Sequence, residues 1–532
     1  MNISCRKDAD LLLFNGRIYT VDDQADVAGA MVISEGHVLA TGKEADLRKE
    51  YKTHREIDLK GQPVFPGFID PHCHFFSYGL TLRQADLSGT TSTKEIAARL
   101  VQHAALNPGK WVLGRGWDQN DWQVKKFPDK ALLDSLFPDI PVYLVRIDGH
   151  AAWVNSKAIA LAGIGKETRV EGGEIISDSH GPTGILVDNA MTLVEKLIPP
   201  PTRDEKIQAL LKAQSNCFAV GLTSVGDAGL DKEIVELMDS LQKKDSLHMH
   251  INAMLNPSKE NMDFYINKGI YETDRLTVRS VKLYADGALG SRGALLKKPY
   301  TDDPSSQGLQ VSETGYLEKI CRLAYEKGYQ VNIHCIGDSA VSLVLHLYAS
   351  VLPEHNDLRW RIEHAQVVDP EDIDLFKKYA VIPSVQPTHA TSDMYWAENR
   401  LGPVRIANAY AYRTLLEQNG WIPDGSDFPV ESINPVYGFY AAVSRKDMQG
   451  MPAGGYHMEQ ALSREQALRA MTVWAAKASF GEKERGSLEP GKNADFVILD
   501  RDIMTVPEDS IAGARVLETW IGGIRYWVIG NR

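Results

Sequence analysis

The sequence predicts an α/β protein: a (β/α)8 TIM-like barrel, a small β-domain built from both chain ends, and a subdomain inserted after the first barrel strand. Three observations predict it. Short apolar runs alternate with amphipathic stretches through the middle of the chain, the pattern of parallel strands joined by crossover helices. Strand-and-turn segments occur at both termini and flank that middle. About 150 residues separate the first two candidate barrel strands, far beyond an ordinary connection.

The N-terminal segment opens with Asp10 to Thr20, where Asn15-Gly16 stands between two apolar runs as a hairpin signal. A second pair runs from Val27 to Ala40 around Glu35-Gly36. The C-terminus returns to the same grammar at 494–500 and at 516–528, broken by Gly522-Gly523, so the two ends are expected to pair. Candidate barrel strands are 64–70, 222–225, 248–254, 278–284, 330–334, 358–364, 381–385 and 421–425. Several are continuous apolar runs, as strands buried on both faces require. The expected division is 1–63, then 64–484 for the barrel with the insert at about 80–200, then 485–532. Emerging from the catalytic end, the insert is placed to cover the site, which in such barrels lies at the C-terminal ends of the strands.

Bulk properties exclude several classes. The 532 residues are 43% hydrophobic and 24% charged, with a formal net charge of -12, which argues against nucleic acid as a partner. The five cysteines (Cys5, Cys73, Cys217, Cys321, Cys335) are scattered without a CxxC pair, which fits reduced thiols in a cytoplasmic protein. Neither a signal peptide nor an apolar stretch long enough for a bilayer is read, so no membrane is expected.

The chemistry-bearing residues sit at strand ends. His72-Cys73-His74 follows Phe65-Pro66-Gly67-Phe68-Ile69-Asp70-Pro71, and on an extended backbone residues two apart point the same way, so both imidazoles can reach one ion. Later strands deliver His334, His364 and Asp427. Each alone reads as a satisfied core histidine or a capping aspartate; four coincidences at one end of one barrel read as a metal site. Nitrogen-rich donors with a carboxylate suit zinc, and manganese, iron and nickel also accept such donors.

These segments, with Val281-Lys282-Leu283-Tyr284-Ala285-Asp286-Gly287-Ala288-Leu289-Gly290-Ser291-Arg292, Gly425-Ser426-Asp427 and the closing 486–495, resemble the amidohydrolase superfamily, and within it the YtcJ-like group that includes N-substituted formamide deformylases. The resemblance covers essentially the whole chain. It implies that the paired ends form a β-sandwich. It also implies one or two Zn2+ ions, with His72, His74 and Asp427 on the more buried one and His334 and His364 on the second. Lys282 would bridge them as a CO2-derived carbamate, since burial frees its amine and an ammonium has no lone pair to donate; a structural pair with Asp286 is the other reading. The implied reaction is attack of a metal-activated hydroxide on the carbonyl of an amide-type C–N bond, with Asp427 shuttling the proton. The substrate would be a small molecule, an N-substituted formamide or a related linear or cyclic amide, and a homodimer is compatible with this reading.

Substrate contacts are expected from segments at the barrel mouth: Asp286, Arg292, His150, Trp117 and His389, with Trp396 beside them. Two roles fit Arg292, a fork on a substrate carboxylate or carbonyl and a surface salt bridge. Trp117, Trp122 and Trp153 read either as an aromatic binding wall or as a subdomain core. Other functions on the same scaffold are a lactone or phosphoester hydrolase, a deaminase, or a catalytically silent regulatory protein. Lys282 counts against the deaminase, and the undamaged ligand positions count against the silent protein.

Overall fold

The computed structural model describes residues 6–106 and 109–530. Its centre is a parallel sheet of seven strands in the order Ile382–Ser384, Arg361–His364, Gln330–Cys335, Leu276–Tyr284, His250–Leu255, Leu222–Leu230 and Phe68–Cys73. Nearly every residue of these strands is buried, because helices cover the outer face and side chains fill the inside. Arg203–Ala219, the long helix before the second strand, starts at a capping box in which Thr202 and Glu205 satisfy each other's backbone N–H groups.

The eighth strand expected at 421–425 is reduced to a single parallel bridge between Val385 and Asp424. Pro423 has no N–H to give, so its carbonyl accepts from Val385 N at 3.1 Å and the Gly425 N–H donates back to Val385 O at 3.0 Å. On the other side, closure runs through a side chain. The Asp70 carboxylate accepts from Ser426 N and Ser426 Oγ, and Asp427 N donates to His72 O at 2.9 Å. A Cβ on Gly425 would lie 2.8 Å from Asp70 Oδ1, so only glycine lets the two ends of the barrel meet so closely.

The expected first strand, 64–70, divides at Gly67. Pro63–Pro66 leaves the barrel and pairs antiparallel with Phe496–Leu499 and parallel with Arg17–Tyr19, while Phe68–Cys73 enters it. The terminal sheet runs Ile524–Val528, Val516–Ile521, Phe496–Leu499, Pro63–Pro66, Arg17–Tyr19, Val27–Ala28, and so interleaves both chain ends. A second sheet, His37–Gly42, Ala30–Ser34, Lys7–Phe14, Tyr51–Asp58, shares with it a core that includes Leu13, Ile33, Val64, Phe496 and Trp520. The Asn15-Gly16 turn is therefore not a hairpin: Asn15 takes a positive φ of 54° and hands the chain from one sheet to the other. The turns at Glu35-Gly36 and Gly522-Gly523 do close hairpins.

Between the first two barrel strands a separate sheet forms, in the order Gly173–Asp178, Gly181–Asp188, Ala151–Val154, Val142–Arg146, Val112–Trp117, Ala85–Asp86. Its own core gathers Trp117, Trp122 and Trp153 with Leu144 and Ile185. Cys73, Cys217, Cys321 and Cys335 are free and buried, and Cys5 lies outside the described residues. Among the described residues, no helix is long and apolar enough to cross a membrane.

Gly67 is where the terminal sheet and the barrel are joined, its N–H donating to Asp495 O at 2.8 Å. A Cβ there would meet Thr223 Oγ1 at 2.3 Å. Gly67→Ala is expected to lower stability by about 1–3 kcal/mol through overpacking, read as a drop in the thermal or denaturant midpoint. An unchanged midpoint would contradict this account of the junction.

Candidate metal centre

His72 and His74 leave the first barrel strand two residues apart, and each has one ring nitrogen tied from behind. His72 Nδ1 lies 2.5 Å from Glu363 Oε2. Burial would raise the Glu363 carboxyl, but Arg361 and His72 outweigh it and hold it well below the usual carboxylate range. An ionised carboxylate only accepts, so His72 Nδ1 donates, and Nε2 carries the lone pair whenever the ring is neutral; against burial, Glu363 and Asp427 raise the ring above its ordinary value where no ion stands. His74 Nδ1 lies 3.1 Å from the Ala228 carbonyl oxygen, which likewise can only accept, so His74 Nε2 also carries a lone pair.

Both lone pairs face one oxygen. Asp427 Oδ1 stands 3.4 Å from His72 Nε2 and 3.2 Å from His74 Nε2, buried and without a hydrogen-bond donor. Burial would raise the Asp427 carboxyl, but positive charge at the histidine nitrogens, borne by their protons where no ion stands, holds it well below its ordinary range. An anionic oxygen and two nitrogen lone pairs at this range repel one another unless positive charge stands among them. The ligand atoms of His72, His74 and Asp427 all lie within 4.8 Å of one another, and two imidazoles with a carboxylate are a donor set a divalent transition metal accepts. The residues present fit a metal.

The remaining expected ligands adjoin this trio. Lys282 Nζ lies 3.3 Å from His72 Nε2, and burial lowers its amine to about 8. The His364 ring is 5.1 Å from that of His72 and 4.6 Å from that of His334. His364 Nδ1 meets Gln386 Oε1 at 2.8 Å, and His334 Nε2 lies 3.4 Å from Gly287 O, so each keeps its other nitrogen for a ligand. Burial pushes both well below the ordinary imidazole value, into the neutral form that binds metals. His364 and Asp427 take positive φ values of 73° and 59°, which costs backbone energy and turns both side chains at the strand ends.

A cavity of about 380 Å³ adjoins the centre, lined by Asp427, His334, His364, His389 and His150 on the metal side and by Trp396, Glu431 and Arg146 farther out. The profile of the amidohydrolase family matches residues 55–525. The chain belongs to the amidohydrolase family. This amidohydrolase, of the YtcJ-like group, is 34% identical over 521 residues to the putative amidohydrolase YtcJ of Bacillus subtilis (strain 168), spanning 96% of this chain and 97% of that protein. It is 27% identical over 550 residues to the N-substituted formamide deformylase of Arthrobacter pascens, spanning 98% and 99%. A metal-dependent hydrolase from Pyrococcus horikoshii OT3, known by its crystal structure, superposes with a TM-score of 0.76 at 30% identity, covering 94% of this chain and 99% of that one. The amidohydrolase is a metal-dependent hydrolase of a small-molecule substrate.

Of the expected substrate contacts, His150 and His389 line the cavity, as does Trp396. His389 lies over His364 with ring centroids 5.8 Å apart, and its Nε2 is buried without a partner. His150 is fixed by Asp188 at 2.6 Å. Three others stand elsewhere. Asp286 is fully buried and spends its carboxylate on the backbone N–H groups of Leu295, Ile336 and Gly337, so it anchors loops and does not pair with Lys282. Arg292 turns outward to Asp302 at 2.9 Å, the surface salt bridge among its two readings. Trp117 is sealed in the insert's core, its indole N–H donating to Leu144 O.

Glu363, Arg361 and Gln386 escaped the sequence reading, although Arg361 and Glu363 alternate on one face of the strand that ends in His364. Glu363→Gln removes the anion behind His72 and leaves the Arg361 charge uncompensated. It is expected to weaken metal affinity roughly 10–100-fold, as replacement of such supporting groups does, measured by chelator competition. Unchanged affinity would remove Glu363 from this role.

Proposed function

We propose that this amidohydrolase cuts the C–N bond of a small amide, with N-substituted formamides as the first class to test. The observation that carries this reading is the convergence of the His72 and His74 lone pairs on Asp427 Oδ1 beside a cavity that meets His334 and His364. The likeness to the formamide deformylase along nearly the full length of both chains supports the substrate class.

Zinc suits the nitrogen-rich donors, and such an ion supplies an acidified water and a Lewis acid for a carbonyl. The protein's own groups do the rest. Asp427, at the cavity wall with an unpartnered Oδ1, takes a proton from the attacking water and returns it to the departing nitrogen. His389 lines the same cavity, and its unpartnered Nε2 is the donor we assign to the carbonyl oxygen as it gathers charge. His150 is raised above its ordinary value because the Asp188 carboxylate outweighs burial, and so adds positive character to the same wall. Lys282 has no carboxylate within ion-pairing distance among the described residues. Lowered to about 8 by burial, its neutral amine adds to CO2: a nitrogen–carbon bond forms, one carbonyl pair moves to oxygen, and the amine proton leaves. The carbamate then presents two anionic oxygens where the ammonium offered none.

Asp427→Asn is expected to retain the fold and lower kcat by roughly 10²–10⁴-fold. A near-normal kcat would rule out the proton shuttle. Lys282→Ala is expected to lose bound metal and activity together, with partial rescue by a short carboxylic acid. Full metal content in that variant would exclude the bridging carbamate.

A further inference from the structure

A second cleft, of about 820 Å³, opens on the insert side and shares His150 with the cavity beside the metal centre. Its wall is largely apolar, with Leu80, Leu113, Val145, Met191 and Ile198. Two hydrogen-bond donors in it lack acceptors. Tyr143 is only 5% exposed, and its hydroxyl has no partner among the described residues. Among the described residues the Arg115 Nε is buried without an acceptor, and the guanidinium's one hydrogen bond runs from Nη2 to the Ile147 carbonyl at 3.0 Å. The two are neighbours by register: the parallel strands Val112–Trp117 and Val142–Arg146 pair Leu113 with Tyr143 and Arg115 with Val145.

Arg115 has no carboxylate within 4.0 Å among the described residues, although a half-buried guanidinium ordinarily needs one. The acids around it are committed. Asp148 holds the Arg146 guanidinium and the His150 N–H. Asp188 holds the His150 ring through Oδ1 and keeps Oδ2 buried without a donor, and Glu205 at the rim holds Arg83 at 2.6 Å. Glu195, the remaining acid of the cleft, makes no ion pair among the described residues, and burial raises its carboxyl toward the neutral form. Asp148 first and Asp427 after it act on Arg115 through space without an ion pair, and the cleft meets the cavity beside the metal centre at His150.

We propose that Arg115 and the Tyr143 hydroxyl bind a substrate carboxylate, so that the molecule cut here is an N-acylated amine carrying a carboxylate and an apolar body. The apolar body lies on the Leu80, Leu113 and Ile198 wall, and the amide reaches past His150 to His334 and Asp427. The position of the amide rests on the hydrolase reading above; the carboxylate site does not.

The test is calorimetric titration of the purified enzyme with 3-phenylpropionate and with 3-phenylpropan-1-ol, which share an apolar body and differ in charge. A charged hydrogen bond gives the wild type a preference for the carboxylate of roughly tenfold or more. Arg115→Met should abolish that preference and the isosteric Tyr143→Phe should reduce it several-fold; Arg115→Lys serves if the methionine variant does not fold. No preference in the wild type, or a preference that survives at Arg115 and Tyr143, overturns the proposal; survival would mean that the metal holds the carboxylate. Hydrolysis of N-formylphenylalanine and N-formyl-2-phenylethylamine is followed in parallel. Failure to cut either, with an Arg115-dependent preference intact, removes only the amide reading. Turnover of both without such a preference removes only the carboxylate site.

Discussion

The ion pair of Arg361 with Glu363, buried beneath the His72 ring, is the constraint on which the centre depends. A buried carboxylate is costly by itself, and the guanidinium keeps it ionised. An ionised Glu363 must accept from His72 Nδ1, which fixes the tautomer and turns the lone pair of Nε2 toward Asp427. Arg361 also donates to the Pro71 carbonyl at 3.0 Å, so the same guanidinium holds the backbone that carries His72. Removing either partner would leave a buried charge and free the ring to change tautomer.

Barrel closure serves the same end. The eighth strand is too short to pair as a strand, and Asp70 replaces its missing hydrogen bonds with a carboxylate that grips Ser426. That grip, with the bond from Asp427 N to His72 O, brings the last strand end against the first. Asp427 and the two histidines are therefore set by one junction of the barrel, although about 350 residues separate them in the chain. The insert adds the outer walls, including His150, Arg146 and the cleft with Arg115 and Tyr143.

Much of this was legible in the sequence. The strand ends carrying His72, His74, Lys282, His334, His364 and Asp427 were readable because parallel strands are apolar runs and polar residues at their C-terminal ends stand out. Short-range pattern misled at Asn15-Gly16, where a turn signal cannot say whether its flanking strands share a sheet. It misled at 64–70 because a run of apolar residues does not show where a strand passes from one sheet to another; the close approach of Thr223 to Gly67 does. Trp117 and Arg292 were ambiguous because an aromatic or a cation near a mouth has the same spelling whether it faces the substrate, a core or a surface partner. Glu363 was missed because its role depends on a histidine 291 residues away.

The central claim is that the histidine nitrogens and Asp427 converge on a metal ion. X-ray absorption of the purified enzyme at the edge of its bound metal tests it most directly. Bound divalent metal with only nitrogen and oxygen neighbours at about 2.0–2.2 Å and the outer scattering of imidazole rings is the expected result. Metal–sulfur scattering at about 2.3 Å, which would bring in Cys73, or a protein that is active without bound metal, would contradict it.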